Sequence, residues 1–199
     1  VRLLLGMARP QAGEIRVLDG RVPTDIARIL ARTGYVPERP HLYPGLTGEE
    51  AIRMHAAFYA TWDAARSSQL QRQLGIPLDR TIGSMSKGEV GKLMMLLALS
   101  QRPELLILDE PTDGLDPMVR RDVLSALLEY VAETKATVFV SSHLVHELER
   151  ICDWVGVLDH GGMAAELPID VFKKGVKRLR LSEAPADLGN PPFTVLSRG

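Results

Sequence analysis

Hydrophobic positions change period several times along the chain, and each change marks an element. Residues Glu14 to Leu18 alternate and run into Asp19-Gly20, which predicts a strand and a turn. Arg32 to Val36 enters a second strand that Pro37 stops. From Thr47 to Leu74 the spacing is helical, with Ile52, Ala56 and Tyr59 on one side, a break near Ala60-Thr61 and a stop at Gly75-Ile76-Pro77. Ser86-x-x-Glu89 fits a capping box ahead of the almost wholly apolar Val90 to Leu99, a helix expected to be buried on most faces. The strand Leu105 to Leu108 follows, then a helix from Pro117 capped by Asp116, with Val123, Leu127 and Val131 on one stripe, then the strand Thr137 to Val140.

A helix from Leu144 to Ile151, the strand Val155 to Leu158 and a hairpin turn at His160-Gly161-Gly162 complete the regular part. Beyond Leu167 a short helix, Ile169 to Lys174, precedes the strand-like Lys177 to Leu181, after which Pro and Gly recur through Gly199. VRLLLG, opening on Val1, reads as the middle of a helix without its cap, so a fragment is expected. This alternation predicts α/β architecture, a mostly parallel sheet flanked by helices. The helical insert interrupts it.

The 199 residues suit one domain, or one with a small appendix, and 45% hydrophobic content can furnish a core. Lys and Arg number 24 against 25 Asp and Glu, with both signs interspersed, so no nucleic-acid partner is expected. A single cysteine, Cys152, excludes an intramolecular disulfide framework and makes a reducing, cytoplasmic compartment the natural expectation. The longest apolar stretch, Leu93 to Leu99, falls far short of the about 18 residues of a membrane span. With no signal-peptide layout either, membrane attachment is expected to come through a partner.

The richest chemistry lies in LLILDEPTDGLDP, Leu105 to Pro117. Ligands collect at the carboxyl ends of parallel strands, and Asp109-Glu110 stands at such an end. Asp109, emerging from a buried strand, suits Mg2+, and Glu110 could polarise an attacking water. Read alone, the same string also fits a solvated acidic pair after a core strand.

Four strings in order resolve this: Met85 to Glu89 (MSKGE), LLILDE, Gly114 to Asp116 (GLD) and His143 after Ser141-Ser142. They resemble the signature, Walker B, D-loop and switch histidine of the ATP-binding cassette ATPases that drive ABC transporters. The resemblance runs from Val1 to about Leu167 and implies a P-loop NTPase-type sheet, with a helical subdomain at about 46–100 carrying the signature. Residues 1–167 would then be a partial cassette and 168–199 a small C-terminal extension.

The resemblance assigns the site. Asp109 would hold Mg2+, Glu110 would be the general base, and His143 would contact the γ-phosphate and orient water. Ser86, Lys87, Gly88 and Glu89, at a helix N-terminus suited to phosphate, would face nucleotide held by a second subunit, and Asp116 would make contact across that dimer. Lys87 and Glu89 depart from the LSGGQ pattern, and the capping box offers Glu89 a structural explanation instead. Glu38, after Tyr35-Val36-Pro37, stands where the family usually has a Mg2+-touching glutamine; a surface glutamate ending a strand is the alternative. His41, His55, His146 and His160 lack such context and read as surface or packing residues.

VRLLLG resembles the helix after the Walker A loop GxxxxGK[ST], but that loop is not in this sequence, so the fragment is expected to bind ATP poorly and to be inactive alone. The intact parent is expected to be an ATPase using ATP and Mg2+. The compact insert resembles that of transporter ATPases, the single cassette argues against tandem translation-factor types, and SKGEVGK, Glu38 after Tyr35-Val36-Pro37 and the tail near Lys177 to Leu181 look most like bacterial exporter ATPases. Such a subunit would form a homo- or heterodimer and pair with a separate transmembrane permease, contacted near Arg39 to Tyr43, on the cytoplasmic face of the membrane. A soluble ABC ATPase acting on ribosomes or DNA and a catalytically degenerate nucleotide-binding subunit are the alternatives.

Overall fold

The computed structural model describes residues 1–144, 149 and 151–175. The chain divides into two compact units, Val1–His143 and Leu144–Gly199.

The first unit is built on three parallel strands in the order β3 (Thr33–Val36), β4 (Leu105–Asp109), β5 (Thr137–Ser141). Leu106, Ile107 and Leu108 in the central strand are fully buried, as expected of a strand covered on both faces. Its side chains alternate between two clusters. Leu106 and Leu108 join the core formed with α4 (Lys87–Ser100) and α5 (Pro117–Thr134), whereas Leu105 and Ile107 join Leu5, Val17, Val22 and Ile29. The second cluster is covered by the hairpin β1 (Ile15–Val17) and β2 (Gly20–Val22) and the short helix α1 (Ile26–Leu30). The anticipated turn at Asp19-Gly20 is therefore a two-residue hairpin loop, Leu18-Asp19, and its return strand and α1 are additions to the pattern read from sequence. VRLLLG forms a turn rather than a helix: Leu5 N–H reaches Val1 O at 3.3 Å, and Gly6 leaves the turn with φ +68°.

The insert carries α2 (Gly48–Ala56) and α3 (Ala64–Leu74). Thr47 and Glu50 form a full capping box on α2, Asp63 caps α3, and Gly75 ends it in the left-handed conformation. The chain then returns beside its own entry, with Ile82 N–H on Leu46 O and Gly83 N–H on Pro44 O, both at 2.9 Å. Gln73 bonds Glu129 at 2.8 Å, Arg66 pairs with Glu133, and the Arg66 guanidinium lies 5.5 Å from the Tyr130 ring centre, tying α3 to α5.

α4 is buried without interruption from Leu93 to Ser100, matching its apolar sequence. α5 begins at the Asp116 cap with Pro117 in its first turn and buries Val123, Ala126, Leu127 and Tyr130; Val131, on the expected stripe, is only partly buried. It ends at Lys135 with φ +61°.

In the second unit, β6 (Trp154–Asp159) and β7 (Gly162–Pro168) form an antiparallel hairpin, closed by His160 and Gly161 with φ +46° and +81°. β6 pairs with β7, as the turn at His160-Gly161-Gly162 predicts. α6 (Ile169–Gly175) follows, its start fixed by Ile169 N–H on Asp153 O at 2.9 Å. The expected helix from Leu144 to Ile151 falls mostly, and the segment Lys177 to Leu181 wholly, outside the described residues. No described helix is long and apolar enough to cross a membrane.

Candidate functional site

Register alone gathers the expected polar residues at one edge. Val36 pairs with Leu108 and Asp109 with Ser141 in parallel ladders, so the chain leaves all three strands at the same side. Glu38, Glu110 and His143 follow immediately. Asp109 is half-buried and accepts a hydrogen bond from the Ser141 hydroxyl, which restrains its carboxylate. Glu110 adopts φ +47°, a left-handed conformation uncommon outside glycine, while its N–H holds Ser141 O at 3.0 Å. The next strand thus braces the Asp109 carboxylate and the Glu110 backbone.

His143 Nδ1 lies 3.0 Å from Glu110 Oε2. A carboxylate only accepts, so Nδ1 carries the proton in this contact. The Glu110 side chain is mostly shielded and that of His143 mostly exposed. Tyr35, on the neighbouring strand, has its phenol pushed above the ordinary range by burial and then by the charge of Asp109. Among the described residues no three His, Cys, Asp or Glu side chains converge into a protein-only metal cage. Mg2+ does not require one, since it keeps several waters and binds through one or two carboxylates together with substrate phosphates.

The second group lies at the start of α4. Ser86 is its cap: the hydroxyl accepts from Glu89 N–H at 3.2 Å, and Glu89 Oε2 accepts from Ser86 N–H at 2.7 Å. The Ser86 N–H, and after it the Ser86 hydroxyl acting on the same carboxylate, hold the Glu89 carboxyl below the ordinary glutamate range. The capping explanation for Glu89 is therefore realised in the structure. Lys87 and Gly88 occupy the first two helical positions, whose N–H groups have no partner within a helix and point along its axis. Gly88 also has a packing reason: a Cβ there would lie 3.1 Å from Val119 Cγ2. Asp116 is engaged as the cap of α5, accepting from Met118 and Val119 N–H at 3.0 and 3.1 Å.

Residues 1–113 match the family described as ABC transporter. The chain belongs to the ABC transporter family. It is 32% identical over 176 residues to the bacitracin transport ATP-binding protein BcrA of Bacillus licheniformis, covering 87% of this chain and 58% of that protein. It is likewise 32% identical over 176 residues to a Nod factor export ATP-binding protein I of Burkholderia orbicola, covering 83% and 56%. The chain thus spans rather more than half the length of these relatives. Among solved structures, an ATP-binding subunit of an ABC transporter superposes with a TM-score of 0.75 at 29% identity, over 87% of this chain and 74% of that one. A dimeric ATP-binding cassette bound to ADP and phosphate superposes with a TM-score of 0.73 over 84% and 78%; at 18% identity it speaks to the fold alone.

Two residues of this ABC family member join the site without having been singled out from sequence. Ser141 was visible only as half of a Ser-Ser pair, and its partnership with Asp109 depends on strand register. Asp113 pairs with Lys87 at 3.5 Å through a contact that no local pattern encodes. The other described histidines have their own surroundings. His55 is half-buried, stacked on Tyr59 at 5.1 Å and 2.6 Å from Gln101 Nε2, and burial lowers its pKa. His41 and His160 are exposed, and His146 lies outside the described residues.

Proposed function

We propose that this chain is the nucleotide-binding part of an exporter-type ABC transporter, in which ATP hydrolysis by the intact parent protein drives export through a separate permease. The observation that carries the reading is the Glu110–His143 contact at 3.0 Å, set beside Asp109 at the carboxyl edge of the parallel sheet. Glu110 takes the proton of the attacking water as general base, and His143 orients Glu110 and the water. Asp109, steadied by Ser141, and Glu38 at the exit of β3 would hold Mg2+, which neutralises charge on the transferred phosphoryl group. The pattern GxxxxGK[ST] does not occur in the 199 residues, so hydrolysis is proposed for the parent and not for this stretch alone.

The start of α4, from Ser86 to Glu89, faces the nucleotide of a second ATPase subunit, with Asp116 near the same interface. Closure follows from differential binding: ATP bridges the two subunits and ADP does not. The names of the two relatives, one for bacitracin transport and one for Nod factor export, support an export direction without assigning a cargo. The permease contact is placed at Arg39 to Tyr43, where Tyr43 is 65% exposed and a cavity of about 150 Å³ opens beside Leu42, His41 and Gln101. Such a subunit sits on the cytoplasmic face of the membrane, with residues 1–167 as cassette and 168–199 as appendix.

The test is ATP turnover by the purified full-length protein. Glu110→Gln and His143→Ala should each lower kcat by roughly 10²-fold or more, the range typical of general-base catalysis, while ATP still binds. Normal turnover in Glu110→Gln would refute the base assignment.

A further inference from the structure

Lys87 departs from the glycine of the LSGGQ pattern that it resembles, and a cation at the first position of a helix opposes the helix dipole. Its side chain follows a defined course. A Cβ on Gly114 would lie 3.2 Å from Lys87 Cε and 3.6 Å from Cδ, so the stem runs directly over this glycine, whose φ is +63°. The ammonium ends 3.5 Å from Asp113 Oδ2. The same face of α4 continues the contact with the start of α5. Gly88 approaches Val119, Gly91 approaches Leu115, and Lys92 Nζ bonds Asp122 Oδ2 at 2.9 Å. Positions 87, 88, 91 and 92 share one helical face, so the close approach at Gly88 and the ordinary contact at Gly91 are flanked by two ion pairs.

We propose that Lys87 is a positioning residue: paired with Asp113 across Gly114, it sets the spacing between the phosphate-facing first turn of α4 and the turn that leads away from Glu110. Two parts of the site that are remote in sequence are thereby fastened within one subunit. Alanine at either member frees the turn, whereas exchanging the charges keeps the link. The consequence for turnover rests on the ATPase reading above; the link itself does not.

Two measurements on the full-length protein test this. Lys87→Ala and Asp113→Ala should each lower kcat about fivefold, the upper range for an exposed ion pair, with KM for ATP unchanged. The double variant should fall no further than either single one, and the charge-swapped Lys87→Asp/Asp113→Lys should recover most of the loss. Amide hydrogen exchange over Thr112 to Leu115 should quicken in both single variants and return toward normal in the swap, with circular dichroism confirming the fold. Additive single effects, an effect on KM alone, a fall in melting temperature with kcat intact, or unchanged exchange would each overturn the inference. A wild-type protein without ATPase activity would instead sink the proposed function, and exchange would still decide the role of Lys87.

Discussion

The two capping boxes allow the structural and ligand-binding contributions at the start of α4 to be separated. In α4, Glu89 N–H to Ser86 Oγ is 3.2 Å and Ser86 N–H to Glu89 Oε2 is 2.7 Å. In α2, Glu50 N–H to Thr47 Oγ1 is 3.2 Å and Thr47 N–H to Glu50 Oε2 is 2.8 Å. Equal geometry predicts equal stabilisation, so Ser86→Ala and Thr47→Ala should each cost about 1 kcal/mol, or about 3 °C in Tm for a chain of this size. Glu89→Gln can still accept from Ser86 N–H but gives up the charge and the 3.1 Å contact with Arg80, so at neutral pH it should cost less than Ser86→Ala but more than nothing.

The acid limb adds a signature. Both Glu89 and Glu50 are held below their ordinary range, first by a backbone hydrogen bond. Each therefore contributes stability that is complete above the unfolded-state glutamate pKa and lost as pH falls through the lower folded value. Glu89→Gln should remove one of these steps. Thermal melts by circular dichroism from neutral to acid pH, beside ATP binding by the full-length protein, supply the readout; only Ser86→Ala should weaken binding. A Tm loss in Thr47→Ala with none in Ser86→Ala would refute the capping argument. So would loss of hydrolysis in Glu89→Gln at unchanged Tm, which would assign Glu89 to nucleotide.

Leu106 is fully buried, and Leu106→Ala should cost about 2–5 kcal/mol in urea denaturation. Gly34→Ala places a Cβ 2.8 Å from Leu106 Cδ2 and should cost about 1–3 kcal/mol; the double variant should fall short of the sum by at least about 0.5 kcal/mol, because truncating Leu106 vacates the space the new methyl needs. Additivity would show that Ala98 O, 3.1 Å from the same Cβ, limits the site instead. Tyr130→Phe removes the 2.9 Å bond to Pro103 O in a buried setting and should cost about 1–3 kcal/mol, measured the same way.

What could be read in advance was what short-range physics encodes. The α4 cap, the Asp116–Pro117 start of α5 and the Gly75 stop of α3 each rest on residues within one turn, and the structure has them as expected. β2 and α1 escaped because three and five residues carry no usable period. Lys135 ends α5 in a left-handed conformation that points to glycine in sequence reading, so this stop carried no signal. The β6–β7 hairpin followed from the turn residues His160-Gly161-Gly162 between two apolar runs. At the site, the positions of Asp109, Glu110 and His143 followed from strand ends. The Ser141 brace and the Lys87–Asp113 pair depend on tertiary register, which a single sequence leaves unspecified.

β4 contributes alternate side chains to two separate hydrophobic clusters. Neither cluster can melt without exposing one face of the strand that ends at Asp109. The two halves of the first unit therefore share one joint, and loosening either half uncovers a face of the strand that carries this carboxylate. A destabilising change in the β1–β2 hairpin, far from the sheet edge, should thus shorten the lifetime of the site as surely as one in α4.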